Sequence, residues 1–493
     1  MQTNFAKALE THFNSQNNRT LTENGAITNK STKSRLLDFF SQGGALRLGR
    51  GADDAQDLFL GALQEDKLLA TKALFYFRDV RGGQGERTTF RTFLHTLAQI
   101  EPNIVRKNLH LIKEFGRWDD YYALVDTSVE REMFELLFNQ FKEDLSVEKP
   151  SLLGKWLKSE NTSSPASREL GKKTRKAFGL KPAIYRKALS VLRTKINVLE
   201  TQLSKNKWES VVYEHVPSQA NLKYRKAFGR HDLTRYTAYL EAVASGDTKI
   251  NAKTQFPYEI IRDASCYGQW RGTETDRKAL DVMWNNQPDY IAKGENSICV
   301  CDVSGSMSGL PIQVSISLGI YTAERNTGPF HNKFMTFSEN PQLQFVTGRD
   351  IVEKVSNLNE AQWDMNTNIK AVFDTLLQIG KDNDLENDEM VKKIFIVSDM
   401  EFDGCTMKLA NETLFQTIAR EWSEAGYDLP LLVFWNVASR NDQSPMSLDD
   451  RGFVNVSGCS PSIFTNLMKG KMTDAYEMML DVLNGDRYLA ITI

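Results

Sequence analysis

The clearest structural signal in the chain is Ile298-Cys-Val-Cys-Asp302-Val-Ser304-Gly-Ser306. A short apolar run ends on an acid, and two serines follow it closely. Lys393-Ile-Phe-Ile-Val-Ser-Asp399 has the same form, an apolar run that ends on an acid. Uninterrupted apolar runs of this length are typical of strands buried on both faces of a parallel sheet. We therefore expect Asp302 and Asp399 to lie at the carboxyl ends of two strands.

The chain around these runs alternates between helical and strand-like patterns. Helical periodicity covers 312–326, 368–379, 409–425 and 462–483, and strand-like runs cover 333–337, 344–346, 430–435 and 452–456. Strands that alternate with helices predict a doubly wound, mainly parallel α/β domain of Rossmann-like type, which we assign to residues 291–493. In such sheets, ligand-binding groups collect at the carboxyl ends of the strands.

The preceding part of the chain has helical periodicity. Apolar residues recur at steps of three and four over 33–40, 54–63, 66–77, 88–97 and 129–141. This spacing predicts an all-α domain of short helices over residues 31–290, either an α-solenoid or an irregular helical array. Residues 1–30 are polar and are predicted to form a loosely held tail.

Composition excludes several classes of protein. The 493 residues are 41% hydrophobic and 25% charged, which rules out a disordered or collagen-like chain. Five cysteines without a C-x-x-C pair argue against a disulfide scaffold and a zinc site. The sequence contains neither a membrane-spanning apolar run nor a signal peptide pattern. We therefore predict no membrane partner and a cytoplasmic location, in the host cytoplasm if the protein is viral.

Positive charge is concentrated in one region. Residues 149–235 contain 20 Lys and Arg against 6 Asp and Glu, whereas the whole chain has a net charge of −2. Such segregation suggests a surface for a polyanion, because Lys and Arg side chains neutralise phosphates. We therefore predict that this region binds RNA. The candidate RNA-binding residues, chosen by charge density, are Lys172, Lys173, Arg175, Lys176, Arg186, Lys187, Arg225 and Lys226.

Aromatic residues are interleaved with these charges and permit two interpretations. Aromatic faces can stack on unpaired bases, whereas the helical spacing of Leu189, Leu192 and Ile196 favours burial of the neighbouring aromatic rings in a core. The spacing favours the core interpretation. The residues concerned are Trp156, Phe178, Tyr185, Trp208, Tyr224, Phe228 and Tyr236.

Two charged clusters precede the basic region. Arg78-Asp-Val-Arg81-Gly-Gly-Gln-Gly-Glu86-Arg87 resembles a phosphate-binding loop only superficially. It lacks the Lys-Ser/Thr ending and follows a helix instead of a strand, which argues against a nucleotide site. Phe115-Gly-Arg117-Trp118-Asp119-Asp120 is predicted to be a helix cap with a buried tryptophan. We therefore assign structural roles to both clusters.

The C-terminal domain carries oxygen donors that suit a metal ion. The 302–306 run, the 366–368 loop and Asp399 are expected to meet at one edge of the sheet. Ligation by oxygen alone suits a hard cation, Mg²⁺ or Mn²⁺. Because hydroxyl groups bring no charge, and because an acid that acts through a water molecule is not a direct ligand, the directly coordinated ion stays net positive and incompletely satisfied. The ion can then accept a carboxylate or phosphate oxygen from a partner.

This donor pattern resembles the metal-ion-dependent adhesion site (MIDAS) of von Willebrand factor A domains. The likeness consists of Asp-x-Ser-x-Ser after an apolar strand, a distant loop threonine and an aspartate at the end of a later strand. It implies that the metal ligands are Asp302, Ser304, Ser306, Thr367 and Asp399. Thr336 and Thr375 also lie in this part of the chain and are the alternatives for the threonine position.

The order of the two parts is similar to that of the Ro autoantigen group, the TROVE-module proteins with HEAT-like helical repeats. It is closer still to an uncharacterised two-part family that occurs in cellular organisms and large DNA viruses. The segments that carry this likeness are 78–87, 115–120, 155–157, 185–193 and 216–220. The resemblance implies a helical ring closed by the A domain and an RNA-binding role in a ribonucleoprotein.

These features favour a non-enzymatic scaffold whose helical part binds structured or single-stranded RNA and whose metal site binds an acidic partner. Two alternatives stay open, namely a metal-dependent protein-interaction module without RNA binding and, with weaker support, a metal-dependent hydrolase. Only His331 of the six histidines falls in the α/β domain, and no Ser/His/Asp or Cys/His set is visible. We therefore assign no catalytic residue.

Overall fold

The computed structural model describes residues 18–46, 52–264, 270–337, 341–359, 368–404, 412–468 and 474–493. The chain forms two compact units. Unit 1 comprises Met1–Ala70, Gln255–Gly272 and Gln287–Gly485, and unit 2 comprises Thr71–Thr254, Thr273–Asn286 and Asp486–Ile493. This division differs from the predicted boundaries at residues 30 and 290, because the first helices belong to the same unit as the sheet.

A hairpin replaces the predicted N-terminal tail from residue 18 onwards. Strands β1 (Arg19–Leu21) and β2 (Ile27–Asn29) pair in antiparallel fashion. The backbone N–H of Asn29 donates to the carbonyl of Ser444 at 3.1 Å, and Ser444 N–H donates back to Asn29 at 2.9 Å. The expectation of a loose tail is therefore wrong for this part, because backbone hydrogen bonds attach the hairpin to the rest of unit 1.

A six-stranded sheet forms the centre of unit 1. Its strands are β3 (Ser297–Asp302), β4 (Lys333–Phe337), β5 (Gln342–Phe345), β6 (Lys393–Ser398), β7 (Leu431–Asn436) and β8 (Phe453–Ser457). The strand order is β5-β4-β3-β6-β7-β8, and every neighbouring pair is parallel except β4 with the edge strand β5. The predicted mainly parallel α/β sheet is thereby confirmed.

Helices complete unit 1. They span Arg35–Gln42, Ala52–Glu65, Pro257–Ala264, Leu310–Arg325, Ile351–Asn359, Ile369–Asp382, Leu414–Glu424, Ile463–Leu467 and Ala475–Leu483. The helix after β3 packs closely on the sheet because residue 319 is glycine. A Cβ atom at Gly319 would lie 2.6 Å from Cys301 Sγ and 3.0 Å from the Phe334 ring. This close packing holds the start of the helix beside the end of β3.

Unit 2 is helical throughout its described residues. Its helices span Thr88–Ile100, Pro102–Asn108, Ile112–Phe115, Glu130–Ser146, Leu153–Trp156, Pro165–Ala177, Pro182–Lys195, Leu199–Ser204, Ser218–His231, Leu233–Ala244 and Glu274–Asn285, and Lys67–Arg78 leads into it from unit 1. The prediction of a helical N-terminal half is confirmed. None of the described helices is long and apolar enough to cross a lipid bilayer.

The buried carboxyl group of Asp38 makes the stability of unit 1 depend on pH. Burial raises the pKa of Asp38 from 3.8 to about 7, and the charges of Asp442 and Glu65 add to the rise, although Thr32 donates its N–H to Asp38 Oδ1 at 2.7 Å. Between these two values the folded state binds a proton that the unfolded state has released. The free energy of unfolding therefore falls as the pH rises from about 4 to about 7.

We predict that Asp38→Asn removes this loss, because the amide keeps an acceptor for Thr32 but carries no charge. The variant should be more stable than the wild type by about 1–3 kcal/mol at pH 8 and nearly equal to it at pH 4. Urea denaturation at both pH values measures the difference. Asp388→Asn, at an exposed acid, is the control, and an equal effect of Asp38→Asn at both pH values would contradict the prediction.

Candidate metal centre and nucleic-acid interface

The parallel pairing of β3 with β6 brings two acids to one edge of the sheet. Asp302 is the last residue of β3, and Asp399 directly follows β6. Carboxyl ends of neighbouring parallel strands lie at the same edge. Both residues are buried, with exposures of 0% and 2%. The structure thus brings together the two acids that the sequence predicted to lie at strand ends.

Hydroxyl groups surround Asp302. The hydroxyl of Ser398 donates to Asp302 Oδ2 at 2.6 Å, and the backbone N–H of Ser304 donates to Oδ1 at 3.0 Å. The hydroxyl oxygens of Ser304 and Ser306 are 3.0 Å apart. The predicted run 302–306 therefore forms a compact set of oxygen donors.

The electrostatics of this edge suit a cation. Burial raises the pKa of Asp302 to about 7, and the nearby charge of Asp399 adds to the rise. Two buried carboxylates beside two hydroxyls are the donor chemistry that hard divalent cations prefer. The described residues contain no group of three or more His, Cys, Asp or Glu side chains arranged to hold a metal ion. A site at this edge would therefore depend on the serine hydroxyls.

The fifth predicted ligand, Thr367, lies outside the described residues. The adjacent Asn368 caps the helix Ile369–Asp382, where its side chain accepts from the N–H of Ala371. Of the two other threonines, Thr336 lies within β4 and is buried, and the hydroxyl of Thr375 donates to the carbonyl of Ala371 at 2.7 Å.

The sequence prediction missed a basic residue at this edge. Arg440 Nη2 lies 2.9 Å from Asp399 Oδ2 and 3.1 Å from Glu23 Oε2. The guanidinium group thus offsets part of the charge of Asp399 and joins it to the turn between β1 and β2. Arg440 lies in the segment that follows β7. Because β7 is parallel to β6, its carboxyl end lies at the same edge of the sheet, and this reasoning would have identified the segment from the sequence.

The β1–β2 turn lies against the loop that follows β6. The backbone N–H of Glu23 donates to Glu401 Oε2 at 2.7 Å, and the hydroxyl of Thr22 donates to the carbonyl of Phe402 at 2.7 Å. Asn24 Nδ2 donates to the carbonyl of Glu401 at 2.7 Å. The hairpin turn therefore forms one wall beside Asp399.

The predicted RNA-binding residues lie on three helices of unit 2 and differ in exposure. Five are exposed, namely Lys172, Lys176, Arg186, Lys187 and Lys226. Lys172 pairs with Glu169 at 2.7 Å, Lys173 with Asp126 at 2.5 Å and Arg175 with Glu160 at 2.8 Å. Lys226 Nζ lies 4.0 Å from Oδ2 of the buried Asp276. The pairs of Lys172 and Lys173 are exposed and contribute little stability, whereas Arg175 and Glu160 are only 18% and 11% exposed.

The prediction for Arg225 is wrong. Its side chain is only 5% exposed, and its Nε lies 2.6 Å from Oδ1 of Asp276, which is 4% exposed. The helix Ser218–His231 places Leu222, Arg225 and Phe228 at intervals of three, so all three face the interior. Charge density alone cannot detect this, because it ignores the helical face on which a residue lies.

The core interpretation of the aromatic residues is confirmed for Phe178, Tyr185, Phe228 and Tyr236, which are at most 4% exposed. The other three, Trp156, Trp208 and Tyr224, are partly exposed. The prediction for Trp118 is also confirmed. It is 8% exposed and opens a short helical turn, Trp118–Leu124, that the Asp120 carboxylate caps by accepting from the backbone N–H of Arg117 at 2.8 Å.

Comparison with known proteins identifies two matching families. The family described as domain of unknown function DUF2828 matches residues 22–164 and 151–293, and that described as domain of unknown function DUF7788 matches residues 296–487. The uncharacterized protein L728 of Acanthamoeba polyphaga mimivirus is 31% identical over 518 residues. That alignment covers 94% of this chain and 87% of the viral protein.

We predict that Arg225→Met destabilises the protein by about 3–5 kcal/mol, because it leaves the Asp276 carboxylate buried without its partner. The double variant Arg225→Met/Asp276→Leu, which replaces both members of the pair, should regain much of the lost stability. Urea denaturation measures both effects, and Arg230→Met at an exposed position of the same helix is the control. A loss no larger than that of the control would place Arg225 at the surface after all.

Proposed function

The chain belongs to the DUF2828 family, and we propose that it is a non-enzymatic RNA-binding scaffold that also carries a divalent-cation site. The observation that carries the proposal is the set of basic side chains exposed on the helices Pro165–Ala177 and Pro182–Lys195. With 20 basic and 6 acidic residues over 149–235, internal pairing cannot neutralise this region. A polyanion supplies the missing charge, and counterion release then drives binding.

In this proposal, Lys172, Lys173, Lys176, Arg186 and Lys187 contact phosphates of structured or single-stranded RNA. Lys226 adds a sixth charge from a neighbouring segment, and Arg175 contributes by shaping the helix end through its pair with Glu160. The core aromatics take no part in base stacking because they are buried. The likeness to TROVE-module ribonucleoproteins supports RNA over other polyanions, as does the proposed cytoplasmic location.

For the α/β unit, we propose a von Willebrand factor A fold with a site of MIDAS type. Asp302, Ser304, Ser306 and Asp399 would hold Mg²⁺ or Mn²⁺, together with Thr367. When bound, the ion supplies a Lewis-acidic position for an oxygen of an acidic protein partner. Asp302 is held for this role by Ser398 and by the N–H of Ser304. Arg440 competes with the ion for Asp399.

A metal-dependent protein-interaction module without RNA binding is the second candidate. It is favoured by one observation, the pairing of Lys172, Lys173 and Arg175 with nearby acids. If these pairs persist, the basic face is an ordinary solvated surface and the metal edge performs the main function. The two candidates differ in whether RNA binds at all.

We predict that the protein binds a fluorescein-labelled single-stranded RNA with an affinity that falls steeply with salt, by about 0.7 log units per log unit of salt for each neutralised phosphate. Arg186→Gln with Lys187→Gln should lower both the affinity and the slope. Fluorescence anisotropy over a salt series measures both. Lys249→Gln with Lys253→Gln, exposed lysines outside the basic region, is the matched control. Absent or salt-independent binding would favour the interaction module.

We predict that Mg²⁺ raises the melting temperature of the wild type and that Asp302→Asn and Ser306→Ala each abolish most of this rise, because binding to the folded state alone stabilises it. Ser306 is exposed, so its variant tests the site without disturbing the core. Arg440→Gln should tighten Mg²⁺ binding by removing a competing cation. Ser190→Ala is the control, and equal Mg²⁺ responses in all variants would overturn the proposed site.

A further inference from the structure

Two buried carboxylates organise a cluster of arginines in unit 2. Asp120 is fully buried, and its carboxylate accepts hydrogen bonds from Arg78 Nε at 2.7 Å, Arg91 Nε at 2.7 Å and the backbone N–H of Arg117 at 2.8 Å. Asp119 accepts from Arg117 Nε at 3.0 Å and Nη2 at 2.9 Å, and Arg91 Nη2 lies 2.8 Å from it. Both acids are therefore fully engaged by three arginines.

Two more cations lie beside this cluster. In the part of the chain that the structure describes, neither the Arg87 guanidinium nor the Lys158 ammonium has a carboxylate within 4.0 Å. Burial lowers the pKa of Arg87, the charges of Arg117, Arg91 and Arg78 lower it further, and the charge of Asp119 opposes them. Burial likewise lowers the pKa of Lys158, with Arg91, Arg117 and Arg87 adding to the effect and Asp119 opposing it. The neighbours of these two groups are thus mainly positive.

We name this group the arginine cluster. Its basic members are Arg78, Arg87, Arg91, Arg117 and Lys158, and its acidic members are Asp119 and Asp120. Five positive and two negative side chains leave a net charge of +3. Charges that are partly withdrawn from water and not offset by counter-charges repel one another and attract an anion.

Packing fixes the positions of two of the cations, Arg117 and Lys158. The Arg117 guanidinium lies 4.0 Å from the centre of the Trp156 ring, and Lys158 Nζ lies 5.4 Å from the centre of the Tyr122 ring. The backbone of Lys158 is held by hydrogen bonds from its N–H to the Tyr122 hydroxyl at 3.1 Å and from the Tyr185 hydroxyl to its carbonyl at 2.8 Å. A binding site whose charges are already in place costs little to organise.

Glycines are required where the two charged segments approach each other. A Cβ atom at Gly116 would lie 2.4 Å from Asp120 Oδ2 and 2.8 Å from Arg78 Nε. A Cβ atom at Gly83 would lie 2.0 Å from the carbonyl oxygen of Tyr76. The glycine-rich turn therefore folds back on the helix Lys67–Arg78 and brings Arg87 to the cluster. These glycines allow the close approach that positions the arginines and are not themselves proposed to bind a phosphate.

Arg87 also precedes the helix Thr88–Ile100, whose N-terminus is capped by no side chain. The unpaired N–H groups at such an end carry partial positive charge and add to the attraction for an anion. Guanidinium groups present planar pairs of donors that match phosphate oxygens, and an ammonium group adds a point charge. The combination suits a phosphate group better than a carboxylate, which has only two oxygens to share among these donors.

We propose that Arg87, Lys158 and the accessible sides of Arg91 and Arg117 bind a phosphate group carried by a nucleotide, either within an RNA strand or as a free nucleotide. Arg91 and Arg117 are 31% and 29% exposed and keep donors available beyond their ion pairs. The site uses none of the residues proposed above to bind RNA, and it does not depend on that proposal. Asp119 and Asp120 position the arginines without contacting the ligand.

The test variant carries two substitutions, Arg87→Gln and Lys158→Gln. The matched control carries Lys249→Gln and Lys253→Gln, which remove two exposed charges of the same unit. Without an anion, the test variant should melt no lower than the wild type, because it relieves repulsion. In potassium phosphate, the melting temperature of the wild type and the control should rise above that in KCl of equal ionic strength. The test variant should lose this rise.

Two further probes distinguish the source of the phosphate. Labelled single-stranded RNA should bind the test variant about tenfold more weakly, with a salt slope lower by about 0.7, if the phosphate belongs to RNA. ATP should lose its stabilising effect, with RNA binding unchanged, if the phosphate belongs to a free nucleotide. Either result supports the site. Equal responses of test variant and control to phosphate, ATP and RNA would overturn it, as would the absence of any response in the wild type.

The two proposals can fail separately. A wild type that responds to phosphate or ATP but binds no RNA would exclude the RNA scaffold and leave the arginine cluster as a nucleotide site. The opposite result is also possible to detect. If the double variant Arg186→Gln/Lys187→Gln loses RNA binding, while the test variant keeps both RNA binding and stabilisation by phosphate, the arginine cluster is excluded and the scaffold stands.

Discussion

Carboxylates that are buried in this protein require a donor or a cation within hydrogen-bonding distance, because an uncompensated buried charge costs several kcal/mol. Asp120 meets this requirement with two arginines and a backbone N–H, and Asp276 meets it with Arg225. At the edge of the sheet the balance is different. Asp399 has Arg440, whereas Asp302 has only neutral donors. The remaining negative charge at that edge is what makes it a candidate for a cation.

Unpaired charge and charge density point to different candidate sites in this chain. The basic region was found by counting, and the count includes Arg225, which is buried and neutralised, as well as Lys173 and Arg175, which are paired. Arg87 lies outside the counted region and has no acidic partner among the described residues. A sum over sequence cannot separate these cases, because pairing depends on residues that are distant in the chain.

The strand ends could be predicted because local patterns determine them. An apolar run followed by an acid identifies both Asp302 and Asp399, and parallel pairing brings them to one edge. The contacts of Glu23 with this edge could not be predicted, since no local pattern links the N-terminal hairpin to residues near 400 and 440. The sequence predicted only structural roles for the two charged clusters, because the approach of their arginines to one another depends on tertiary packing.

The hairpin has a consequence for how relatives of this protein are divided and recombined. The family match to the α/β part begins at residue 296, yet Glu23 contacts Arg440, and the backbone N–H of Gly44 donates to the Ser457 hydroxyl at 3.0 Å. A fragment excised at that boundary would lose one wall of its own oxygen-rich edge and uncover part of β8. The first 70 residues must therefore be kept with the α/β part when chimaeras are assembled, because they belong to the same unit as the sheet although most of the helical segment separates the two in the chain.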